Sequence, residues 1–210
     1  VIIEKQMLEA KYSSLQEVYP GEGEIKDESS TYLANHPASA LKEVYVVYRD
    51  GSPAGVVYTV ETQGYNGLIR TLVAFDSTSQ TISGVKVLKQ SETPGLGTNS
   101  AEKWFGERFL AKGIAAQLEV TKLAPNKDNE IQAITAATIT TTAVVDGVNI
   151  ARLHFLHDRA RFLVARDFEH RLMLVRVERQ ADRGDARDAV ALEDAQQFAL
   201  GRFEAGDQRL

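Results

Sequence analysis

Two pairs of alternating apolar segments, each joined by a short turn, constrain the fold of this chain more than any other feature of its sequence. The segments EVYVVYR (43–49) and AGVVYTVE (54–61) flank DGSP, which contains the Asp-Gly pair typical of a tight hairpin turn. A second pair, over 67–75 and 80–89, alternates in the same way around the polar sequence DSTS. The sequence therefore predicts two consecutive antiparallel hairpins.

Helical patterns flank the predicted hairpins. The segment IIEKQMLEAKYSSLQEVY is amphipathic and is stopped by Pro20, and the acidic and polar segment 21–30 is predicted to be a loop. The remaining predicted elements are a short helix over 100–110 that directs Trp104 and Phe105 at a core, a short strand over 115–123 and a last helix over about 139–156. Paired strands surrounded by helices predict an α+β fold with a largely antiparallel, twisted sheet of hairpins.

Composition excludes several classes of protein. Hydrophobic residues make up 43% of the chain and charged residues 25%, which suffices for a packed core and argues against disorder throughout. The formal net charge of −5 argues against a nucleic-acid binder, whose binding face is usually basic. The absence of cysteine excludes a disulfide scaffold, a Cys-ligated zinc site and a thiol nucleophile. No metal is expected at the four histidines, which are His36, His154, His157 and His170.

The basic residues change in kind near residue 151. Residues 1–150 hold ten Lys and three Arg, whereas residues 151–210 hold no Lys and eleven Arg. The acidic residues divide as 18 and 11, so the two parts carry charges of −5 and 0. We therefore expect one domain over 1–155 and an Arg-rich C-terminal appendage over 156–210, of separate origin or a second module.

The segment KQSETPGLGTNS between a predicted strand and a predicted helix has the composition of a ligand-binding loop. The residues that give it this character are Glu92, Thr93, Pro94, Gly95 and Gly97. Proline fixes φ, and the two glycines allow positive φ and a close approach of the backbone to a ligand. Such a loop can present backbone N–H groups to an anion or a flat ring, or it can be a simple turn.

The segment AITAATITTTAV precedes the last predicted helix and is crowded with hydroxyls. Its five threonines are Thr135, Thr138, Thr140, Thr141 and Thr142. Threonine is a poor helix former, but at a helix entrance its hydroxyl can cap free N–H groups. The positive end of the helix dipole also favours a phosphate. Capping alone and phosphate binding are both open on this pattern.

The order of these blocks is specific. The chain contains, in this order, the blocks GYNGLIRTLVAFD, ISGVKVLKQSETPGLGT, WFGERF and ITAATITTTAVVDGVN, and the resemblance that they carry covers about residues 10–155. This order resembles the FMN-binding domain of the RnfG and NqrC subunits of membrane electron-transport complexes, and RnfG more closely. The resemblance implies an FMN-carrying subunit of an ion-translocating oxidoreductase complex, an electron-transfer component and not a stand-alone enzyme.

The resemblance also implies partners and a location. In this family a threonine of an (S/T)-G-A-T motif carries FMN through a phosphoester bond, which a dedicated flavin transferase makes from FAD with magnesium. The domain lies on the outer face of the bacterial cytoplasmic membrane, periplasmic or extracellular, and contacts the other subunits of the complex. One N-terminal helix anchors it, and Val1 would lie just after that helix.

Carried over by position, the resemblance makes Thr138 the FMN acceptor. Thr135, Ala137 and Thr140 surround it, and Thr140 and Thr141 are expected to offer hydroxyl donors to the phosphate. The isoalloxazine ring is expected to lie against the glycine-bearing loop, with apolar contact from Leu96 and polar contact from Glu92, Thr93 and the Gly97 amide. Tyr65 is a candidate for stacking on the ring.

Two positions depart from the family pattern. Ala136 stands where the family prefers Gly, and Gln132 stands where it prefers Asp. A methyl group at Ala136 could restrict the backbone, and loss of the acid could weaken recognition of the acceptor. The alternatives are a subunit-contact module with a degenerate flavin site, or a protein that binds free FMN.

Overall fold

The computed structural model describes residues 2–34 and 40–157, and its centre is an antiparallel sheet of five strands. The strands follow one another across the sheet in chain order, and each pairs with the next. They are β1 (Glu24–Asp27), β2 (Leu41–Arg49), β3 (Ser52–Gln63), β4 (Leu68–Asp76) and β5 (Thr81–Lys89). Both predicted hairpins are confirmed, as β2–β3 and β4–β5.

Helices cover both faces of this sheet. The helices are α1 (Ile2–Val18), α2 (Ser29–Ala34), α3 (Lys103–Glu107) and α4 (138–157), and a 3₁₀ turn spans Gly97–Ala101. On one face, α1 contributes Leu15 and Val18 to a core with Val57 and Leu72 of the sheet. Since successive side chains of a strand point to opposite faces, this arrangement explains why the strands are rich in valine and leucine on both sides.

The opposite face of the sheet packs on α4. The ring of Phe75 stacks on Phe155 with centroids 5.1 Å apart, and the Thr62 hydroxyl donates to the Ala143 carbonyl at 2.8 Å. Within α4, Val144, Val145, Val148 and Ala151 are all buried. The predicted last helix is confirmed, and these contacts hold it against the sheet.

The short elements differ from the sequence-based expectations. The predicted loop over 21–30 contains β1 and the first residues of α2. Its polar side chains are explained by position, since among the described strands β1 lies at the edge of the sheet, pairs with β2 alone and is mostly exposed. The predicted helix over 100–110 is divided between the 3₁₀ turn and the short α3.

A small parallel pair completes the described fold. The predicted strand over 115–123 is limited to β6 (Glu119–Thr121), which pairs in parallel with the unpredicted β7 (Glu130–Gln132). In the described ranges, no helix is both long and apolar enough to cross a membrane. Of the appendage predicted over 156–210, residues 158–210 lie outside the described residues, and so do His36 and His170.

Candidate functional site

The two loops singled out in the sequence meet at the side chain of Glu92. This carboxylate is 4% exposed, and it accepts a hydrogen bond from the Thr140 hydroxyl at 2.5 Å. It also accepts the backbone N–H groups of Asn66 at 2.9 Å and Tyr65 at 3.3 Å. Glu92 therefore joins three segments: the turn after β3, the loop after β5 and the first turn of α4.

Glycine allows these segments to approach one another closely. A Cβ atom on Gly97 would lie 2.6 Å from the Glu92 Cβ and 2.7 Å from the Thr140 Oγ1. A Cβ atom on Gly64 would lie 2.6 Å from the Glu92 Oε1. Real side chains do not fit at such distances, so both glycines are required by the packing around the buried carboxylate.

The tip of the loop after β5 is exposed and held by its own hydrogen bonds. Gly95 has φ of +74°, and its N–H donates to the Thr98 hydroxyl at 3.0 Å. The Asn99 side chain donates to the Gly95 carbonyl at 3.1 Å. These contacts leave Thr93 and Leu96 facing solvent. The loop therefore presents an apolar side chain on a rigid turn.

The threonines at the entrance of α4 divide into two groups. Thr140 and Thr141 are buried, and their hydroxyls serve internal hydrogen bonds. Thr141 accepts the Ile134 N–H and donates to the Ala137 carbonyl, both at 3.0 Å, while Thr140 donates to Glu92. These two hydroxyls thus hold the local structure together, in place of the expected contact with a phosphate. Thr142 is exposed.

Thr138 differs from its neighbours. It is the first residue of α4 and is half-buried. Within the described ranges its hydroxyl has no hydrogen-bond partner, and the N–H groups of residues 138–140 find no acceptor. The first N–H groups of a helix lack partners inside the helix and carry the positive end of its dipole. The entrance of α4 therefore combines a free hydroxyl with free donors, which fits a phosphate ester.

The turn before Thr138 has the backbone of a glycine turn. Residues 134–137 are closed by a hydrogen bond of 2.9 Å from the Ala137 N–H to the Ile134 carbonyl. Ala136, at the third position, has φ of +60°. A positive φ at this position is typical of a type II turn, which favours glycine. Ala136 therefore has the left-handed backbone conformation that a glycine would adopt at this position. The methyl group of alanine has not changed the shape of the turn.

An open cleft of about 390 Å³ lies between the loop after β5 and this turn. Its lining consists of Gly95, Leu96, Asn99, Trp104, Arg108, Gln132, Ala133, Ile134, Thr135 and Ala136. The expectation that Trp104 points at a core is wrong, because its side chain is 42% exposed and lines the cleft. Phe105, by contrast, is fully buried as expected.

Arg108 is a residue of the cleft that the sequence reasoning did not single out. Its guanidinium lies 4.7 Å from the centre of the Trp104 ring and donates to the Gln132 carbonyl. Burial lowers the pKa of Arg108 from its ordinary value. The i,i+4 spacing of Trp104 and Arg108 in WFGER was the available signal, since residues four apart lie on one helix face.

The residues predicted to contact a cofactor lie in two neighbouring places. Leu96, Thr135 and Ala136 line the cleft, and Thr138 lies two residues after Ala136. Glu92, Gly97 and Thr140 form the buried junction behind it. The Tyr65 ring is 67% exposed on the turn after β3, where its backbone is bonded to Glu92.

Comparison with known proteins covers the same part of the chain. Residues 64–152 match the profile of a family described as an FMN-binding domain. The chain is 32% identical over 158 residues to the G subunit of the Na⁺-translocating ferredoxin:NAD⁺ oxidoreductase complex of Acetobacterium woodii, covering 71% of this chain and 75% of that protein. It is 31% identical over 160 residues to the G subunit of the ion-translocating oxidoreductase complex of Salmonella typhi, covering 72% and 76%.

A solved structure supports the fold independently. The crystal structure of Shewanella oneidensis NqrC matches this chain with a TM-score of 0.50 at 22% identity, over 58% of this chain and 61% of that chain. At this level of identity the likeness concerns the α+β architecture alone. It agrees with the antiparallel sheet and flanking helices described above.

Proposed function

Because this chain belongs to the family of G subunits of ion-translocating oxidoreductase complexes, we propose that it is the flavin-carrying electron-transfer subunit of such a complex. In this proposal FMN is linked through a phosphoester bond to the hydroxyl of Thr138. FMN supplies the redox chemistry, while the protein determines where the flavin is held and what surrounds it.

The observation that carries this proposal is that the Thr138 hydroxyl is not engaged in a hydrogen bond within the described part of the chain. The neighbouring hydroxyls of Thr140 and Thr141, by contrast, are buried and bonded. A phosphate on Thr138 would lie beside the free N–H groups at the start of α4, where the helix dipole offsets its charge. A 390 Å³ cleft lined by Thr135 and Ala136 begins two residues away.

The other predicted residues have supporting roles in this proposal. Leu96 offers apolar contact to the isoalloxazine ring, and Thr93 and the Gly97 amide offer polar contact. Glu92 and Thr140 act indirectly, because their hydrogen bond fixes the loop after β5 against α4. Ala137 keeps the turn compact by its hydrogen bond to Ile134. Tyr65 stays a prediction for stacking, with an exposed ring that is free to do so.

The proposal includes partners and a location. The other subunits of the complex donate and accept the electrons, and a flavin transferase attaches FMN during maturation. The domain works at the outer face of the bacterial cytoplasmic membrane, periplasmic or extracellular. The relatives are named as subunits of ion-translocating complexes, which supports this placement at a membrane.

Intact-protein mass spectrometry tests the attachment. Co-expressed with a matching flavin transferase, the chain should gain the mass of FMN less one water. Thr138→Ala should abolish this gain, because it removes the acceptor hydroxyl. The matched control is Thr142→Ala, an exposed threonine one turn further along α4, which should keep the flavin. An unmodified wild-type mass, or flavin retained in Thr138→Ala, would contradict the proposal.

A subunit-contact module with a degenerate site is the second candidate. Gln132 favours it, because this residue lines the cleft as a neutral amide where the family prefers an acid. Ala136 does not favour it, since its backbone keeps the glycine-like conformation.

A protein that binds free FMN is distinguished by colour, because non-covalent flavin is lost on denaturation whereas a phosphoester-linked flavin is retained.

A further inference from the structure

We propose that the cleft beside Trp104 seats the isoalloxazine ring, and that Arg108 raises the reduction potential of the flavin bound there. The inference rests on the proposed attachment of FMN to Thr138. It adds two residues, Trp104 and Arg108, to those that the sequence indicated.

The shape and chemistry of the cleft fit a flat aromatic ring. Its volume of about 390 Å³ is in the range of ~300–1,000 Å³ usual for small-molecule sites. Trp104, Leu96 and Ile134 give it apolar surface, and the Asn99 side chain and the turn before Thr138 give it polar groups. Mostly apolar walls with a few polar groups are typical of cofactor sites.

Arg108 is the one charged side chain among the described residues that line the cleft. It is held in place twice, by stacking on the Trp104 ring at 4.7 Å and by its hydrogen bond to the Gln132 carbonyl. No carboxylate is paired with it among the ion pairs of the described ranges. Its positive charge is therefore fixed in position and not neutralised by a neighbour.

The charge of Arg108 has a direct consequence for flavin chemistry. Reduction by two electrons from a reduced carrier of the complex, with uptake of one proton, leaves the ring with one additional negative charge. A fixed positive charge beside the ring stabilises this reduced form relative to the oxidised form. Partial removal from water strengthens the interaction, because the effective dielectric constant near the charge is lower.

Spectroelectrochemical titration of the flavin-loaded protein tests the role of Arg108. Arg108→Gln should make the midpoint potential more negative, whereas Arg108→Lys should keep most of the wild-type value because it keeps the charge. The matched control is Lys103→Gln, which removes one positive charge from the first residue of α3, at a side chain that is largely exposed and outside the cleft. Equal potentials in wild type and Arg108→Gln would overturn the proposal.

Flavin fluorescence tests the position of the ring by a second observable, separate from the midpoint potential. Trp104 is the only tryptophan of the chain, and contact with an indole quenches flavin emission at short range. Trp104→Leu should therefore increase the emission several-fold, while Tyr12→Leu, at an aromatic 46% exposed on α1, should not. Unchanged emission in Trp104→Leu would overturn the proposal that the ring lies in the cleft beside Trp104. Loading is verified by mass beforehand, so missing flavin in the wild type counts against the attachment at Thr138 and not against the cleft.

Discussion

At the scale of single residues, Ala136 holds a backbone conformation that costs free energy. A non-glycine residue with φ near +60° suffers a steric penalty of roughly 1–2 kcal/mol. Ala136→Gly should therefore raise the free energy of unfolding by about 1 kcal/mol, net of the greater entropy of glycine in the unfolded chain. Thermal unfolding followed by circular dichroism should show a midpoint about 2–4 °C higher.

The neighbouring alanine provides the control for this prediction. Ala137 is buried and does not have a positive φ, so Ala137→Gly gains no relief of strain and should lower stability by about 0.5–1 kcal/mol. If both substitutions lowered the midpoint equally, the strain assigned to Ala136 would be wrong.

The threonine run shows what a sequence reveals about individual residues and what it does not. The crowding of hydroxyls at a helix entrance indicated an unusual site, and resemblance to a known domain selected Thr138. The different roles of Thr140 and Thr141 depend on partners supplied by the fold, such as Glu92, which is 48 positions away from Thr140. Such long-range pairs leave no periodic signal in a single sequence.

At the scale of elements, α1 lies against β5 at a position that only glycine fits. A Cβ atom on Gly84 would lie 2.3 Å from the Val18 carbonyl oxygen and 2.6 Å from the Val18 Cα. Backbone atoms cannot rotate away, so Gly84→Ala should displace the end of α1 and lower stability by about 1–3 kcal/mol or more. Urea unfolding of the variant measures this loss.

Gly113 provides the matched substitution for Gly84. A Cβ atom there would meet nothing within 4 Å, and its φ is not positive. Gly113→Ala should therefore be neutral or slightly stabilising, since alanine restricts the unfolded chain. A large loss in Gly113→Ala, or none in Gly84→Ala, would contradict the close contact between α1 and β5.

The elements that could be predicted are those whose signals are local. The hairpins have turn residues between alternating segments, and α4 has an apolar face of regular period. β1 and β7 were missed because β1 is polar and exposed and β7 has three residues, so neither carries a hydrophobic pattern. The prediction for Trp104 was wrong because an aromatic residue in a short helix usually packs in the core, whereas this one lines a cleft.

At the scale of the whole molecule, the described fold consists of a sheet between two helical layers, with its functional features gathered at one junction. The turn after β3, the loop after β5 and the start of α4 all meet Glu92, so the site depends on the correct packing of α4 on the sheet. Arg152 and Asn149 of α4 extend this packing by bonding the carbonyls of Ile114 and Leu118. The stability of the domain and the integrity of the site are therefore linked.

Two carboxylates make this stability depend on pH. Hydrogen bonding from Arg70 holds the pKa of Glu61 below its usual range. Burial alone would raise the pKa of Asp76, but hydrogen bonds from the Ser79 N–H and hydroxyl, the Tyr19 hydroxyl and the Thr78 N–H outweigh it and lower the pKa. In the unfolded chain the pKa of these groups is ~3.9 for Asp and ~4.3 for Glu.

The sign of the effect follows from these lowered values. Above about pH 5 both groups are ionised in either state, and the stabilisation is fully present; as the pH falls through the folded pKa values, the unfolded chain binds protons more readily and stability is lost. The free energy of unfolding, measured in urea from pH 7 to 3, should decline below about pH 5.

Asp76→Asn and Glu61→Gln should each be less stable at pH 7, and each should show a shallower decline because one linked carboxylate is gone. Glu102→Gln, at an exposed carboxylate, should follow the wild-type curve. Curves that stay parallel to wild type in the first two variants would exclude these carboxylates as the source of the acid sensitivity.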